Sequence, residues 1–301
     1  MLVRGGTVYD GTGKPGRELD VAIKGERVVA LLPRPNSAEG VTTVDATGLA
    51  VAPGFINMLS WTDIALIQDG RAMSDLKQGV TLEIFGEGWS EGPLNDSMKK
   101  EMLEQQGDIK FDVAWTTLGE FLDHLVKRGI TPNVASMVGA TTARIHELGY
   151  ADRRATPEEL GRMQELVRYG MREGALGVGS SLIYAPASYS DTPELVALTQ
   201  AAAESGGGYV SHMRSEADRL PEALEELITI GREAKTHAEL YHFKAAGQRN
   251  WPKMAEAIAR IEKARADGLS ISANMYTYTA GATGLDAAMP TWVQELSLIH
   301  I

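Results

Sequence analysis

Two histidines lie 30 residues apart in segments of similar pattern, a spacing typical of a shared metal or catalytic site. His212 in "GGGYVSHMRSE" and His242 in "AELYHFKAAG" each follow an apolar run and precede a polar loop and a helical stretch. About 30 residues is one strand-helix repeat of a parallel β/α architecture. The spacing therefore predicts two imidazoles at the carboxyl ends of neighbouring strands, where active sites of (β/α)8 barrels form.

Charged side chains follow both histidines at even spacing. If the strands continue, their alternation points Arg214 and Glu216 to the side of His212, and Lys244 to the side of His242. The chain contains no cysteine, so metal ligands must come from His, Asp, Glu or a modified Lys. A lone histidine is more often structural, but two at successive strand ends favour metal ligation.

The elements that must position these residues divide the chain at about residue 52. Residues 1–52 show short alternating strands separated by turns and predict a small N-terminal β unit. Residues 53–301 alternate apolar strands with helices, which favours an α/β fold of the (β/α)8 TIM-barrel type. Seven strands are predicted: one ending near Met58, and runs at 80–85, 133–138, 175–179, 208–213, 239–243 and 269–275. His212 then falls on the fifth strand and His242 on the sixth. We also expect an insertion near 94–125 and a missing eighth unit.

Helix signals support this alternation. Thr156 precedes Pro157 and an apolar pattern, which predicts an N-cap followed by proline in the first turn. Asp191 begins a similar signal.

The amino-acid composition argues against two classes of binding partner. The formal net charge of −11 and a pI near 5.1 argue against nucleic acid and anionic membrane, which select basic surfaces. No apolar stretch reaches the roughly 20 residues of a membrane-spanning helix. The lack of cysteine fits a reducing compartment. We therefore expect a cytoplasmic protein, of undetermined oligomeric state.

Six motifs, in their order along the chain, resemble the D-aminoacylase (N-acyl-D-amino-acid deacylase) branch of the amidohydrolase superfamily. They are "RGGTVYDGTGKPG", "GLAVAPGFIN", "QGVTLEIFGEG", "YVSHMRSE", "YHFKAAGQRNW" and "MYTYTAG". The resemblance implies a (β/α)8 barrel with a small β-sandwich built from both chain ends. It also implies metal-dependent hydrolysis of an amide bond in an N-acyl amino acid or similar small molecule, and a chain that is truncated at its carboxyl end.

The resemblance assigns roles to residues of this sequence. His212 and His242 match two zinc ligands, and the place of a third, a cysteine after strand two, falls in "GEGW", where only Glu87 could coordinate a metal. One zinc ion per chain is expected. Tyr184 and Lys244 match groups that bind the substrate carboxylate. Tyr276 is a further candidate for substrate contact, and so is Arg214.

Departures from the family pattern are equally specific. Leu59-Ser60-Trp61 replaces the superfamily's His-x-His, so we expect the second metal position to be lost. Ala140 replaces a histidine of the strand-three loop. The catalytic aspartate is expected beyond Ile301, so no catalytic residue is assigned. Residues 296–301, "LSLIHI", do not follow the family and are interpreted as an artefact.

The leading hypothesis is thus a metal-dependent amidohydrolase of the D-aminoacylase type. An alternative is a catalytically inactive relative that acts as a binding or structural protein, because the His-x-His pair and the catalytic aspartate are absent. A hydrolase of cyclic amides is the weakest hypothesis, since such enzymes generally need the binuclear centre that Leu59 and Trp61 remove.

Overall fold

A computed structural model describes residues 1–34, 41–289 and 293 of the chain. The chain divides into two compact units, Met1–Phe55 and Ile56–Ile301. The predicted eighth unit, the catalytic aspartate and the artefact at 296–301 lie outside the described residues. None of the helices within the described part is long and apolar enough to cross a bilayer.

The first unit is built around one six-stranded sheet of short strands. Its order is β5-β1-β3-β2-β6, and β4 pairs with β3. The strands are β1 Leu2–Arg4, β2 Thr7–Val8, β3 Arg17–Lys24, β4 Arg27–Pro33, β5 Thr43–Asp45 and β6 Ala50–Val51. The β3-β4 hairpin turns at Gly25, whose φ of +60° favours glycine. This is the small β unit expected from the alternating pattern.

The remaining strands form the wall of an open α/β barrel. They are β7 Phe55–Asn57, β8 Val80–Phe85, β9 Asn133–Ser136, β10 Val138–Gly139, β11 Gly177–Ser181, β12 Gly208–His212, β13 Ala238–Leu240 and β14 Ile271–Ala273. They pair in two sheets, β7-β8-β9 and β10-β11-β12-β13-β14, and the pairs β8-β9 and β10-β11 through β13-β14 are parallel. Only Met137 separates β9 from β10, so together they make one strand position. The seven predicted strand positions are confirmed, with His212 at the end of the fifth.

Helices alternate with these strands. They are α1 Asp63–Gln68, α2 Met73–Leu76, α3 Asp96–Glu104, α4 Leu118–Arg128, α5 Ala140–Leu148, α6 Pro157–Arg172, α7 Thr192–Ala203, α8 Leu220–Ala234 and α9 Lys253–Ala266. Thr156 caps α6 in a reciprocal capping box with Glu159, and Asp191 caps α7 by accepting the Glu194 N–H. Both predicted N-caps are confirmed.

Two layers of core residues follow from the strand alternation. One register row packs outward against the helices: Val138, Val178, Tyr209, Ala238 and Ile271. Residues of the opposite face fill the barrel interior: Ile84, Met137, Val210 and Tyr241. Since Val210 faces inward, His212 two residues later faces inward as well.

A buried ion pair joins α5 to α7. Both Glu194 carboxylate oxygens accept from Arg144 Nη1, at 3.0 and 2.7 Å. The Arg144 side chain is fully buried and that of Glu194 is 6% exposed. Such a pair is costly to break from one side, because the remaining charge is left without a partner.

Candidate metal centre

Glu87, His212 and His242 come together at the carboxyl ends of the barrel strands. Glu87 Oε1 lies 2.8 Å from His212 Nδ1 and 3.3 Å from His242 Nε2. The two imidazole rings meet edge to face, with centroids 4.4 Å apart. All three side chains are buried, and one ligand atom from each lies within 4.8 Å of the others. Among the described residues, no second group of His, Asp or Glu side chains forms a set of this kind.

Two glycines, Gly86 and Gly88, determine the position of Glu87. Gly86 and Gly88 have φ of +98° and +82°, in the region that favours glycine. A Cβ at Gly86 would lie 2.6 Å from the Met137 carbonyl oxygen, and one at Gly88 would lie 2.8 Å from the Ser181 backbone nitrogen. Ser181 Oγ also donates to the Glu87 carbonyl oxygen at 2.7 Å. The loop after β8 therefore packs tightly against the strands that follow, which turns the Glu87 carboxylate toward the histidines.

His212 and His242 are positioned in different ways. His212 is the last residue of β12, and strand geometry alone points it inward. β13 ends at Leu240, so the prediction of a strand through residue 243 is wrong at this end. His242 lies beyond the strand with φ of +34°, a backbone conformation that is costly for a non-glycine residue.

Asn274 holds the strained His242 backbone. Its Oδ1 accepts the His242 N–H at 2.8 Å, and its Nδ2 donates to Glu239 Oε1 at 2.7 Å. The backbone adds a further bond, from the Phe243 N–H to the Asn274 carbonyl oxygen at 2.9 Å. The segment after β14 thus fixes the direction of the His242 ring.

A second carboxylate orients the His242 imidazole. Glu216 Oε1 lies 2.9 Å from His242 Nδ1 and 2.6 Å from Lys244 Nζ. When Nδ1 carries the proton and donates it to Glu216, Nε2 faces Glu87 and the space beside it. Carboxylates commonly support metal-binding histidines in this way.

The pKa shifts reflect this charge arrangement. Burial works against the charged form of Glu87, but hydrogen bonds from His212 and His242 outweigh it and lower its pKa to about 2. Burial likewise works against protonated His242, and hydrogen bonds to Glu216 and Glu87 outweigh it, raising its pKa to about 9. For Glu216, hydrogen bonds from His242 and Lys244 and the charge of His212 overcome burial and lower the pKa. Carboxylates in this cluster are therefore ionised at neutral pH and ready to bind a cation.

The donor set fits a metal ion. In a tetrahedral zinc site, ligand atoms at 2.0–2.1 Å from the metal lie about 3.3 Å apart. The separations of 2.8 and 3.3 Å from Glu87 Oε1 are close to that value. These separations concern His212 Nδ1 and His242 Nε2 as the ligand atoms, and His212 Nε2 is buried without a hydrogen-bond partner within the described part of the chain. Two imidazoles and one carboxylate leave a fourth position for water or substrate.

Trp61 supplies a contact that the sequence did not predict. Its indole Nε1–H donates to Glu87 Oε2 at 3.0 Å, the oxygen that is not shared by the histidines. Trp61 stands where the superfamily's His-x-His motif has a histidine, so the family pattern indicated only that a metal ligand is lost. No sequence signal identified the contact, because it joins the segment after β7 to the loop after β8.

The predicted substrate-binding residues differ in location. The Tyr184 ring meets His212 edge to face at 5.4 Å, and its hydroxyl lies 2.7 Å from Thr283 Oγ1. Tyr276 lies 6.2 Å from the His242 ring, with Lys244 Nζ 5.6 Å from its own centroid. Tyr184, Tyr276 and Lys244 thus border the cluster, and their role in substrate binding stays a prediction.

Arg214 is not brought to the cluster. Its guanidinium donates to both Glu226 oxygens at 3.0 Å, and to the carbonyl oxygens of Ser188 and Ser190 at 2.9 and 2.8 Å. The strand ends at His212, so the alternation that predicted the direction of Arg214 does not extend to it. Its hydrogen bonds support α8 and the loop before α7, and no contact favours the predicted substrate role.

Two further carboxyl groups lie beside the loop that carries Glu87. Burial, together with the charge of Asp63, raises the pKa of Glu91 to about 8. Burial also raises the pKa of Asp63, against the effect of a hydrogen bond from the Ile64 N–H. Glu91 Oε2 has no hydrogen-bond partner among the residues described. These groups lie outside the metal cluster and affect stability.

Comparison with known proteins places this geometry in context. No family model matches the chain. The D-aminoacylase of Alcaligenes xylosoxydans xylosoxydans is 34% identical over 289 residues, which cover 95% of this chain and 58% of that protein. The chain therefore spans less than two thirds of the length of this relative.

Solved structures agree with the sequence comparison. One solved structure of a D-aminoacylase matches with a TM-score of 0.80 and 32% identity, over 93% of this chain and 59% of that one. It is described by the functional role of its binuclear metal centre, with one-metal activation and second-metal attenuation. An N-acyl-D-glutamate deacylase of Bordetella bronchiseptica, complexed with zinc and a phosphonate inhibitor, matches with a TM-score of 0.79 and 27% identity over 92% and 58% of the two chains. Over nearly its whole length, this chain is similar in sequence and in fold to D-aminoacylase and to N-acyl-D-glutamate deacylase.

Proposed function

We propose that this chain carries the metal-binding part of a zinc-dependent amidohydrolase that cleaves the amide bond of an N-acyl-D-amino acid. The observation that carries the proposal is the buried cluster of Glu87, His212 and His242 at the strand ends. The names of the relatives, D-aminoacylase and N-acyl-D-glutamate deacylase, support the substrate class. Catalysis by such a site needs an open coordination position, which a three-ligand set leaves.

Each residue of the cluster has a distinct role in this proposal. Glu87, His212 and His242 would hold one zinc ion, which polarises an amide carbonyl and lowers the pKa of bound water toward 7. When His242 Nδ1 carries a proton, Glu216 can accept it at 2.9 Å, which would leave Nε2 to face the site. All three ligand side chains are buried, which strengthens the interactions of their charges.

The substrate carboxylate is proposed to bind at the rim formed by Lys244, Tyr184 and Tyr276. Lys244 is the cation of this rim, and its side chain is 25% exposed. Its Nζ lies 2.6 Å from Glu216 Oε1, 2.9 Å from His242 Nδ1 and 3.3 Å from the His242 carbonyl oxygen, so a substrate carboxylate would have to replace one of these contacts. An N-acyl amino acid carries one carboxylate and one amide. Its carboxylate could bind Lys244 while its amide carbonyl lies at the metal site, because the two are only a few ångströms apart.

The inactive-relative hypothesis is not favoured. Loss of metal chemistry would remove the reason to keep two histidines and a carboxylate buried at hydrogen-bond distance, since buried charge is costly. The cluster is intact despite Leu59, Trp61 and Ala140. We further propose a cytoplasmic location, for which the lack of cysteine is the support.

A combined metal and activity measurement tests the proposal. The purified protein, produced as a chain that includes the expected catalytic aspartate, is analysed for metal content and assayed against a panel of N-acyl-D- and N-acyl-L-amino acids, alongside His212→Ala and His242→Ala. We expect bound zinc and D-selective hydrolysis in the wild type, and loss of both in the variants. His146→Ala, on α5 and 23% exposed, is the matched control and should change neither. Unchanged zinc content in both cluster variants would refute the metal assignment, and metal binding without hydrolysis of any acylated amino acid would refute the substrate class.

A further inference from the structure

The Glu87 carboxylate is held at both of its oxygens, by different partners. Oε1 lies at 2.8 Å from His212 Nδ1 and 3.3 Å from His242 Nε2. Oε2 accepts the indole N–H of Trp61 at 3.0 Å. A carboxylate with one oxygen fixed by an N–H donor cannot rotate freely about its last bond, so the other oxygen keeps its direction.

The segment that carries Trp61 is itself anchored to the strand that leads to Glu87. The Ser60 N–H donates to the Ile84 carbonyl oxygen at 2.9 Å, next to the end of β8. Ser60 is buried, and its hydroxyl lies 2.8 Å from Thr62 Oγ1. Trp61 thus projects from a fixed backbone, while 59% of its surface stays exposed. An exposed tryptophan that packs little and donates its N–H to a buried carboxylate is better explained by that hydrogen bond than by a role in the core.

We propose that Trp61 is a positioning residue for the metal centre: its indole N–H fixes Glu87 so that Oε1 alone faces the ion, and it keeps Oε2 from binding a second ion. This inference rests on the proposed function, because it assumes that Glu87 is a metal ligand. The positive end of the N–H dipole points at Oε2. A second cation at Oε2 would have to displace this hydrogen bond.

Metal affinity and stoichiometry test the role of Trp61 directly. Zinc chloride and cobalt chloride are titrated into the metal-stripped protein in competition with a chelator, and the cobalt absorption spectrum reports the ligand geometry. Trp61→Phe removes the N–H and keeps a ring, and Trp251→Phe is the matched control, because Trp251 is 63% exposed and lies outside the cluster. We expect wild-type protein to saturate at one ion, Trp61→Phe to bind about 10- to 100-fold more weakly with an altered cobalt spectrum, and Trp251→Phe to match the wild type.

A double-mutant cycle separates positioning from a general loss of structure. In a Glu87→Ala background, Trp61→Phe should change zinc affinity no further, because the group it positions is gone. An equal loss in both backgrounds would overturn the inference, and so would wild-type affinity in Trp61→Phe. Saturation of the wild type at two ions, both dependent on Glu87, would also overturn it and requires no variant.

Failure of the inference can be told apart from failure of the proposed function. If His212→Ala and His242→Ala lose zinc while Trp61→Phe retains it at full affinity, the metal centre stands and the role of Trp61 falls. If the histidine variants bind zinc like the wild type, the metal centre itself is refuted, and the inference with it.

Discussion

Removing the Asn274 side chain should weaken metal binding, although Asn274 is not a ligand. Its Oδ1 accepts the His242 N–H at 2.8 Å, and it thereby stabilises a backbone with φ of +34°. Loss of the acceptor leaves that N–H unpaired, at a cost of about 1–3 kcal/mol, and the strained backbone costs a similar amount. Relaxation of His242 to an ordinary conformation would turn its ring away from Glu87.

The magnitude follows from the free energy of holding His242 in place. Suppose that relaxation of His242 weakens zinc binding by about 1–3 kcal/mol. Since about 1.4 kcal/mol corresponds to a tenfold change in affinity, the dissociation constant for zinc should rise about 5- to 140-fold in Asn274→Ala. Chelator competition measures the change, and urea unfolding of the metal-free protein shows how much of the loss is general destabilisation.

A matched control and a refuting result complete the test. Asn133→Ala removes an asparagine that donates to the Thr81 carbonyl oxygen at 3.0 Å on the strand edge, and it should leave zinc affinity unchanged. The reasoning fails if Asn274→Ala binds zinc as tightly as the wild type. It also fails if Asn133→Ala weakens binding to the same extent.

Three further substitutions probe the buried charges. Glu194→Ala leaves Arg144 buried and unpaired, so we expect a loss of about 3–5 kcal/mol in the free energy of unfolding, measured with urea. In the folded state Glu91 has a pKa of about 8, so it keeps its proton to higher pH than in the unfolded chain, where the pKa is near 4.5. The free energy of unfolding should therefore fall as the pH rises between these two values. Glu91→Gln should therefore raise the melting temperature at pH 8 relative to wild type and have little effect at pH 4.5. Glu216→Gln should weaken zinc binding about 10- to 100-fold, because the amide supports His242 less well than the carboxylate does.

Exposed glutamates provide controls for these variants. Glu158 on α6 and Glu222 on α8 are both exposed, so Glu158→Ala and Glu222→Gln should change the free energy of unfolding by less than about 0.5 kcal/mol. Unchanged stability in Glu194→Ala would contradict the burial argument. A Glu91→Gln variant with wild-type pH dependence would show that another group carries the effect, and wild-type zinc affinity in Glu216→Gln would exclude its supporting role.

Hydrophobic pattern was sufficient to predict the strands that carry the site. The central strands β12 and β13 are almost entirely buried, and strands that are buried on both faces appear as short apolar runs between polar loops. The run at 80–85 coincides with β8, and that at 208–213 ends one residue beyond β12. Because parallel strands end at the same edge, their order alone placed His212 and His242 side by side.

The position of Glu87 could not be fixed in this way. Strand alternation does not extend into the loop "GEGW", so the sequence alone could not show in which direction the Glu87 side chain faces. Tertiary contacts decide it: Gly86 and Gly88 lie so close to β11 and the β9-β10 segment that a side chain at either position would clash. Such contacts join residues far apart in sequence, and no local periodicity reports them.

The alternation of side-chain directions along a strand no longer predicts where a side chain points once the strand has ended. The two cationic residues that follow the histidines show why. Arg214 and Lys244 each lie two residues after a histidine, yet Arg214 pairs with Glu226 on α8 and Lys244 with Glu216 beside His242. Beyond the last strand residue the backbone is set by its partners, and for His242 that partner is an asparagine 32 residues later. The direction of a side chain at the mouth of the barrel therefore depends on which neighbour holds its backbone, so substitutions at those neighbours should alter the metal site as strongly as changes near the ligands in sequence.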